Sequence, residues 1–210
     1  MKHDREATKG DELATTTRRM VEGVRLTSYE HGVIIDPHAG TYFTDCSGFV
    51  SYVLERIAPE HYGAIPREVA HPYPRAFEFF DYFASRAAHA SFGWRRVDRF
   101  FDVREGDLVA WREKRVREDH DSGHVFVVAQ APMPLGDGFW LVGVYDSSDV
   151  PHFDDSRERS GEFRSGVGMG GILIHVDAEG LPIGFIFGSE DSLHELPIAV
   201  ARLEPLAPRS

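Results

Sequence analysis

The chain contains a single cysteine, Cys46, and its neighbours are those that a thiol nucleophile needs. The thiolate is the attacking species, so the pKa must fall from about 8.5, and a helix N-terminus beside an imidazolium achieves this. In Asp45-Cys46-Ser47-Gly48-Phe49 the sulfur stands where a loop enters a helix. Phe49, Val50, Val53, Leu54 and Ile57 recur at helical spacing, and Pro59 ends the run. Gly48 keeps the first turn small and lets a substrate backbone approach. The N–H groups of that turn, including that of Cys46, are expected oxyanion donors. A cysteine kept only as a small hydrophobe would more often sit in mid-helix or mid-strand.

The base must be a histidine on a rigid platform. Among 11 histidines, His124 stands out because Ser122-Gly123-His124-Val125-Phe126-Val127-Val128 opens a strand with the imidazole near its start. The sulfur of Cys46 is therefore expected near a ring nitrogen of His124. The other ring nitrogen needs an acceptor. Asp146 ends the next predicted strand, and two antiparallel neighbours would bring it beside His124. His152 competes for that third role, and a turn aspartate capping Ser147 and Ser148 is the plainer account of Asp146. Tyr29, Asp45 and Ser47 are candidate substrate or oxyanion contacts, Tyr29 against the alternative of a core tyrosine. Asp119-His120-Asp121 with His124 offers a metal reading, His at i and i+4. Gly123 and the Val-rich run after it disfavour the helix that this reading needs.

These residues require elements to hold them. Met1 to Ala14 reads as a flexible arm, and residues 15–210 as a single domain. Thr15 to Leu26 suits an amphipathic helix, with Met20, Val21, Val24 and Leu26 among charges. Gly32 to Gly40 reads as a loop, as does His61 to Pro74. Arg75 to Ala90 is expected to be a helix, burying Phe77, Phe80, Phe83 and Ala84 on the core, with Phe79 and Tyr82 nearby. It belongs to an aromatic helical insertion around residues 66–105. Asp107 to Trp111, His124 to Gln130, Phe139 to Tyr145, Gly171 to Val176, Ile183 to Phe187 and Ile198 to Leu203 read as strands. Helices first and strands second, with short connections, predict an α+β fold with a C-terminal antiparallel sheet. Asp154-Asp155 and Glu158 read as a solvated loop, and Gly166 to Gly171 as a flexible turn or lid.

Composition narrows the partners. The 210 residues are 42% hydrophobic and 27% charged, ordinary for a globular chain, and the net charge is -11. An acidic surface argues against nucleic acid and anionic membrane. One cysteine rules out an intramolecular disulfide and a Cys-rich zinc site. Met1 to Gly23 lacks the apolar core of a signal peptide, so the expected location is cytoplasmic, or secreted or periplasmic if a leader has been removed.

Asp45-Cys46-Ser47-Gly48-Phe49-Val50 resembles the nucleophile motif of the NlpC-type cysteine peptidases, bacterial enzymes of the papain-like superfamily that cleave cell-wall peptides. Arg104-Glu105-Gly106-Asp107-Leu108-Val109 is similar to that family's Gly-Asp-Leu-Val segment, Ser122-Gly123-His124-Val125 to its Gly-His-Val motif, and Pro66-Arg67 to its Pro-Arg pair. The likeness covers roughly Thr27 to Ser147. Tyr29-Glu30-His31-Gly32 departs from the family's Tyr-x-Trp-Gly-Gly, and Asp146 stands where the family often has histidine. The resemblance implies a papain-like fold, with helices packed on an antiparallel sheet and the cysteine at a helix N-terminus. It also implies hydrolysis of an amide in a small cell-wall-type peptide through a thioester. The same triad would serve acyl transfer, and the same scaffold could act as a silent binding module. No metal or organic cofactor is implied.

Overall fold

The computed structural model describes residues 7–116, 122–189 and 191–206. In chain order its elements are α1 (Lys9–Glu22), β1 (Leu26–Ser28), β2 (Val33–Asp36), β3 (Thr41–Thr44), α2 (Cys46–Ile57), α3 (Pro59–Tyr62), α4 (Ala76–Ala84) and β4 (Trp94–Arg96). After a 3-10 turn at Phe100–Asp102 come β5 (Leu108–Arg112), β6 (Gly123–Gly136), β7 (Phe139–Ser148), β8 (Glu158–Arg159), β9 (Glu162–Phe163), β10 (Gly166–Val176), β11 (Pro182–Ile186) and β12 (Ile198–Leu203). The class is α+β. A seven-stranded antiparallel sheet runs in the order β11-β10-β7-β6-β5-β12-β4, and a small three-stranded sheet has the order β1-β3-β2.

Both faces of the large sheet are buried at its centre, which explains why β5 and the first half of β6 read as nearly continuous apolar runs. Val125 and Val127 of β6 pack with Phe49, Val53, Phe79 and Phe83 of the helices. Phe126 and Val128, the alternate residues, pack with Trp111, Val144, Ile172 and Phe185 on the other side. No helix of the described residues is long and apolar enough to cross a membrane.

Several expectations need correction. The helix expected at Thr15–Leu26 begins at Lys9, because Thr8 and Asp11 form a reciprocal capping box, so residues 9–14 are helical rather than part of an arm. Its buried residues include Leu13, Ala14 and Thr17, and Leu26 belongs to β1. The loop expected at Gly32–Gly40 contains β2, paired antiparallel with β3. α4 ends at Ala84, not Ala90, and buries Phe79, Tyr82 and Phe83 while Phe77 and Phe80 are only half-buried. The segment 66–105 also supplies β4, which pairs with β12 at the edge of the large sheet. Gly166–Gly171 is no lid: it opens the interior strand β10. Asp155, expected in solvent, is 7% exposed and bound to Arg157.

Candidate active site

Cys46 is the first residue of α2, and Asp45 is its N-cap, accepting from the Gly48 N–H at 2.6 Å. Asp45 holds more than the cap. Its carboxylate also accepts from Ser47 Oγ at 3.1 Å and from the Tyr73 hydroxyl at 2.9 Å, with His31 Nδ1 at 3.4 Å. Burial, and then the adjacent Asp45 carboxylate, push the Tyr73 hydroxyl up, so it remains a donor. Gly48 is required by packing: a Cβ there would meet Thr44 Oγ1 at 2.4 Å and Val33 at 2.8 Å. Cys46 lines a cavity of about 290 Å³ together with Tyr29, Asp45, Ser47, Tyr73 and the strand entry Ser122-Gly123.

His124 follows Gly123, whose φ of +136° a side chain could not adopt without meeting the Trp111 carbonyl at 2.0 Å. Trp111 of β5 is the register partner of His124, and their rings lie 5.2 Å apart. Phe126 and Phe187 flank the same imidazole. His124, Tyr29 and Gly123 line a second, smaller cavity of about 140 Å³, so Tyr29 and Gly123 form the shared wall between the thiol's cleft and the imidazole's. Ser147 Oγ donates to the Thr44 carbonyl at 2.6 Å, pinning the entry to α2 against the end of β7.

Asp146 lies within β7, opposite Gly168 of β10. The β6–β7 register, continued one place from Val127↔Tyr145, sets it diagonal to His124 on one face. His124 Nε2 donates to Asp146 Oδ2 at 2.7 Å, and His152 Nε2 donates to the same oxygen at 2.7 Å. Arg157 Nη1 donates to Oδ1 at 3.0 Å. Asp146 is fully buried, which opposes ionisation. The positive fields of His152 and Arg157 and the two histidine hydrogen bonds outweigh that, holding the carboxyl well below the usual range. Asp146 is thus the acceptor for His124, and His152 shares the same oxygen, with its ring stacked on Phe187 and its Nδ1 buried without a partner. Asp155 fixes this group, accepting from the His152 and Arg157 N–H groups and from the Arg157 guanidinium.

The glycines of β10 make room for it. Gly168 and Gly170 share a face at period two. A Cβ at Gly168 would meet the Arg157 side chain at 2.6 Å, and one at Gly170 would meet His152 Cβ at 2.6 Å. Arg157 and Tyr73 are the residues that sequence reasoning missed. Tyr73, held between Pro72 and Pro74, had a signal; Arg157, in a run of alternating charges, had none.

Among the described residues, His124, Asp146 and His152 could together present ligand atoms to a metal, lying within 4.8 Å of one another. A cation there would face the Arg157 guanidinium already on Asp146, and both histidine Nε2 atoms are committed as donors. Asp119, His120 and Asp121 of the other metal reading lie outside the described residues. Comparison with known proteins returns no matching family model, no matching curated protein and no matching solved structure.

Proposed function

We propose that the chain is a papain-like cysteine hydrolase of the NlpC type, acting on an amide bond in a small peptide. The observation that carries this reading is a buried His124–Asp146 hydrogen bond, on a strand whose entry lines the cleft over Cys46 at a helix N-terminus. Asp146 takes Nε2, which leaves Nδ1 of His124 to serve the thiol. Cys46 gives its proton to Nδ1 of His124 as Sγ attacks the amide carbon, and N–H groups of the α2 start receive the developing oxyanion. As the C–N bond breaks, His124 gives its proton to the leaving amine, and a thioester remains. Water, deprotonated by His124, then attacks the thioester, releasing the acid and restoring the thiol. Asp146 keeps the imidazole in the orientation and tautomer that both steps need.

The test is direct. Iodoacetamide should label Cys46 rapidly at a pH below that of free-thiol titration and abolish hydrolysis of a panel of cell-wall peptides and simple amides. Cys46→Ala and Cys46→Ser should reduce hydrolysis to background. Hydrolysis that survives alkylation but is lost with a chelator would replace this mechanism with a metal-dependent one. A thiol that resists alkylation, with no turnover of any amide, would leave a binding module.

A further inference from the structure

A cavity larger than the cleft over Cys46 lies elsewhere in the molecule. A pocket of about 660 Å³ lies between α1, β1 and the sheet, within the roughly 300–1,000 Å³ usual for small-molecule sites. Its walls are tied together. The Val167 N–H donates to Thr27 Oγ1 at 2.7 Å, joining β10 to β1, and the Met169 N–H donates to Ser156 Oγ at 2.8 Å. Val21, Val24 and Met169 give it an apolar lining.

The charge of the lining runs against that of the chain. Four arginines, Arg18, Arg25, Arg157 and Arg164, face this space with two glutamates, Glu22 and Glu105, in a protein of net charge -11. Arg157 is neutralised by Asp146 and Asp155. Arg18, Arg25 and Arg164 are exposed, and among the described residues none of them is ion-paired. Three guanidiniums without an ion-pair partner line a pocket that also has an apolar wall, and guanidinium matches carboxylate and phosphate in a two-pronged way.

We infer that this cavity binds a small amphipathic anion, with a phosphate or carboxylate head at the arginines and an apolar body against Val21, Val24 and Met169. The site is separate from the Cys46 cleft and does not depend on catalysis. Isothermal titration of the full chain with octyl phosphate and with octanoate tests it, with octanol, octylammonium and inorganic phosphate as controls. Saturable one-to-one binding of either anionic amphiphile is expected, persisting in Cys46→Ala, and the tighter of the two identifies the head group. Arg25→Ala with Arg164→Ala should weaken binding by about tenfold or more, since each removes a charge-assisted contact. Arg164→Gln alone should show a smaller loss, and serves if the double variant does not melt like the parent. Absence of saturable binding by both anions would overturn the inference. So would octanol binding as tightly as octyl phosphate, or affinity unchanged in the arginine variants.

Discussion

Two buried arginines each grip a buried aspartate, and the two aspartates are driven in opposite directions. Arg202 on β12 binds Asp107 at the entry to β5 through two hydrogen bonds of 2.6 and 2.7 Å, and the Arg104 N–H adds a third. Burial of Asp107 still outweighs these partners, so its pKa is raised. Arg157 makes one longer bond to Asp146, yet that carboxyl is held well below the usual range, because two histidines share it. The difference lies in the surroundings more than in the salt bridge. Asp107 joins two neighbouring strands, a task that geometry alone can perform. Asp146 must stay ionised while buried if it is to orient an imidazole, and it has His124, His152 and Arg157 around it to keep it so.

The largest effect expected from breaking this contrast is at Asp146. Asp146→Asn should lower turnover by about 10²–10⁴-fold, because the imidazole loses its charged acceptor and its tautomer. Asp107→Asn should leave turnover per folded molecule unchanged, as steady-state kinetics on the two variants would show. Next come the arginines. Arg157→Met and Arg202→Met should each destabilise the fold by about 3–5 kcal/mol in urea titrations, since each takes the guanidinium from a buried carboxylate, Asp155 in the first and Asp107 in the second. Only Arg157→Met should also lower turnover by the proposed mechanism. Adding Asp107→Leu to Arg202→Met should recover much of the stability, whereas Asp146→Leu on Arg157→Met should recover neither stability nor turnover, because His124 and His152 lose their acceptor and Asp155 its guanidinium.

A smaller and opposite pair of effects is expected in acid. Asp146, lowered in the folded state, contributes stability that is complete above its unfolded pKa of about 3.9 and is lost as pH falls through the folded value. Asp107, raised in the folded state, does the reverse. The folded chain holds its proton longer, so stability falls as pH rises from about 3.9 through the raised value. Urea midpoints from about pH 3 to about pH 6 should therefore fall less steeply toward acid in Asp146→Asn, and more steeply in Asp107→Asn, than in the parent. The smallest effect is at His152. His152→Phe keeps the stack on Phe187 and removes one of two hydrogen bonds on Asp146 Oδ2, so stability should change by about 1 kcal/mol and turnover should drop less than in Asp146→Asn. A dead His152→Phe beside an active Asp146→Asn would exchange the roles of the two residues.

The parts of this arrangement legible in the sequence are those with local markers. Asp45 caps a periodic run, Gly123 opens a Val-rich strand, and Asp146 follows the apolar run of β7, so the residues around Cys46, His124 and Asp146 could be placed without tertiary information. Ile198–Leu203 was legible to the residue for the same reason. Arg157 was not, because its partners lie 11 and 2 residues before it and 9 after, while its own neighbours have the composition of a solvated loop. The glycines of β10 invite a reading as flexibility, although their period of two belongs to a strand that must accept side chains lying across it. The face of α4 is misjudged by its aromatic residues, since Phe77 and Phe80 satisfy the same pattern as the buried Phe79 and Phe83.

The position of β12 has a consequence for biosynthesis. It is translated after every other strand described, yet it lies inside the sheet, between β5 and β4. Until it arrives, the growing chain carries two unpaired strand edges, each offering N–H and C=O groups to any passing strand. β4 has no other neighbour in that sheet, so its attachment waits for the final insertion. The helices, Cys46 and the hairpin bearing His124 all leave the ribosome first, and the interval between β5 and β12 is the one in which wrong pairing competes most strongly with completion.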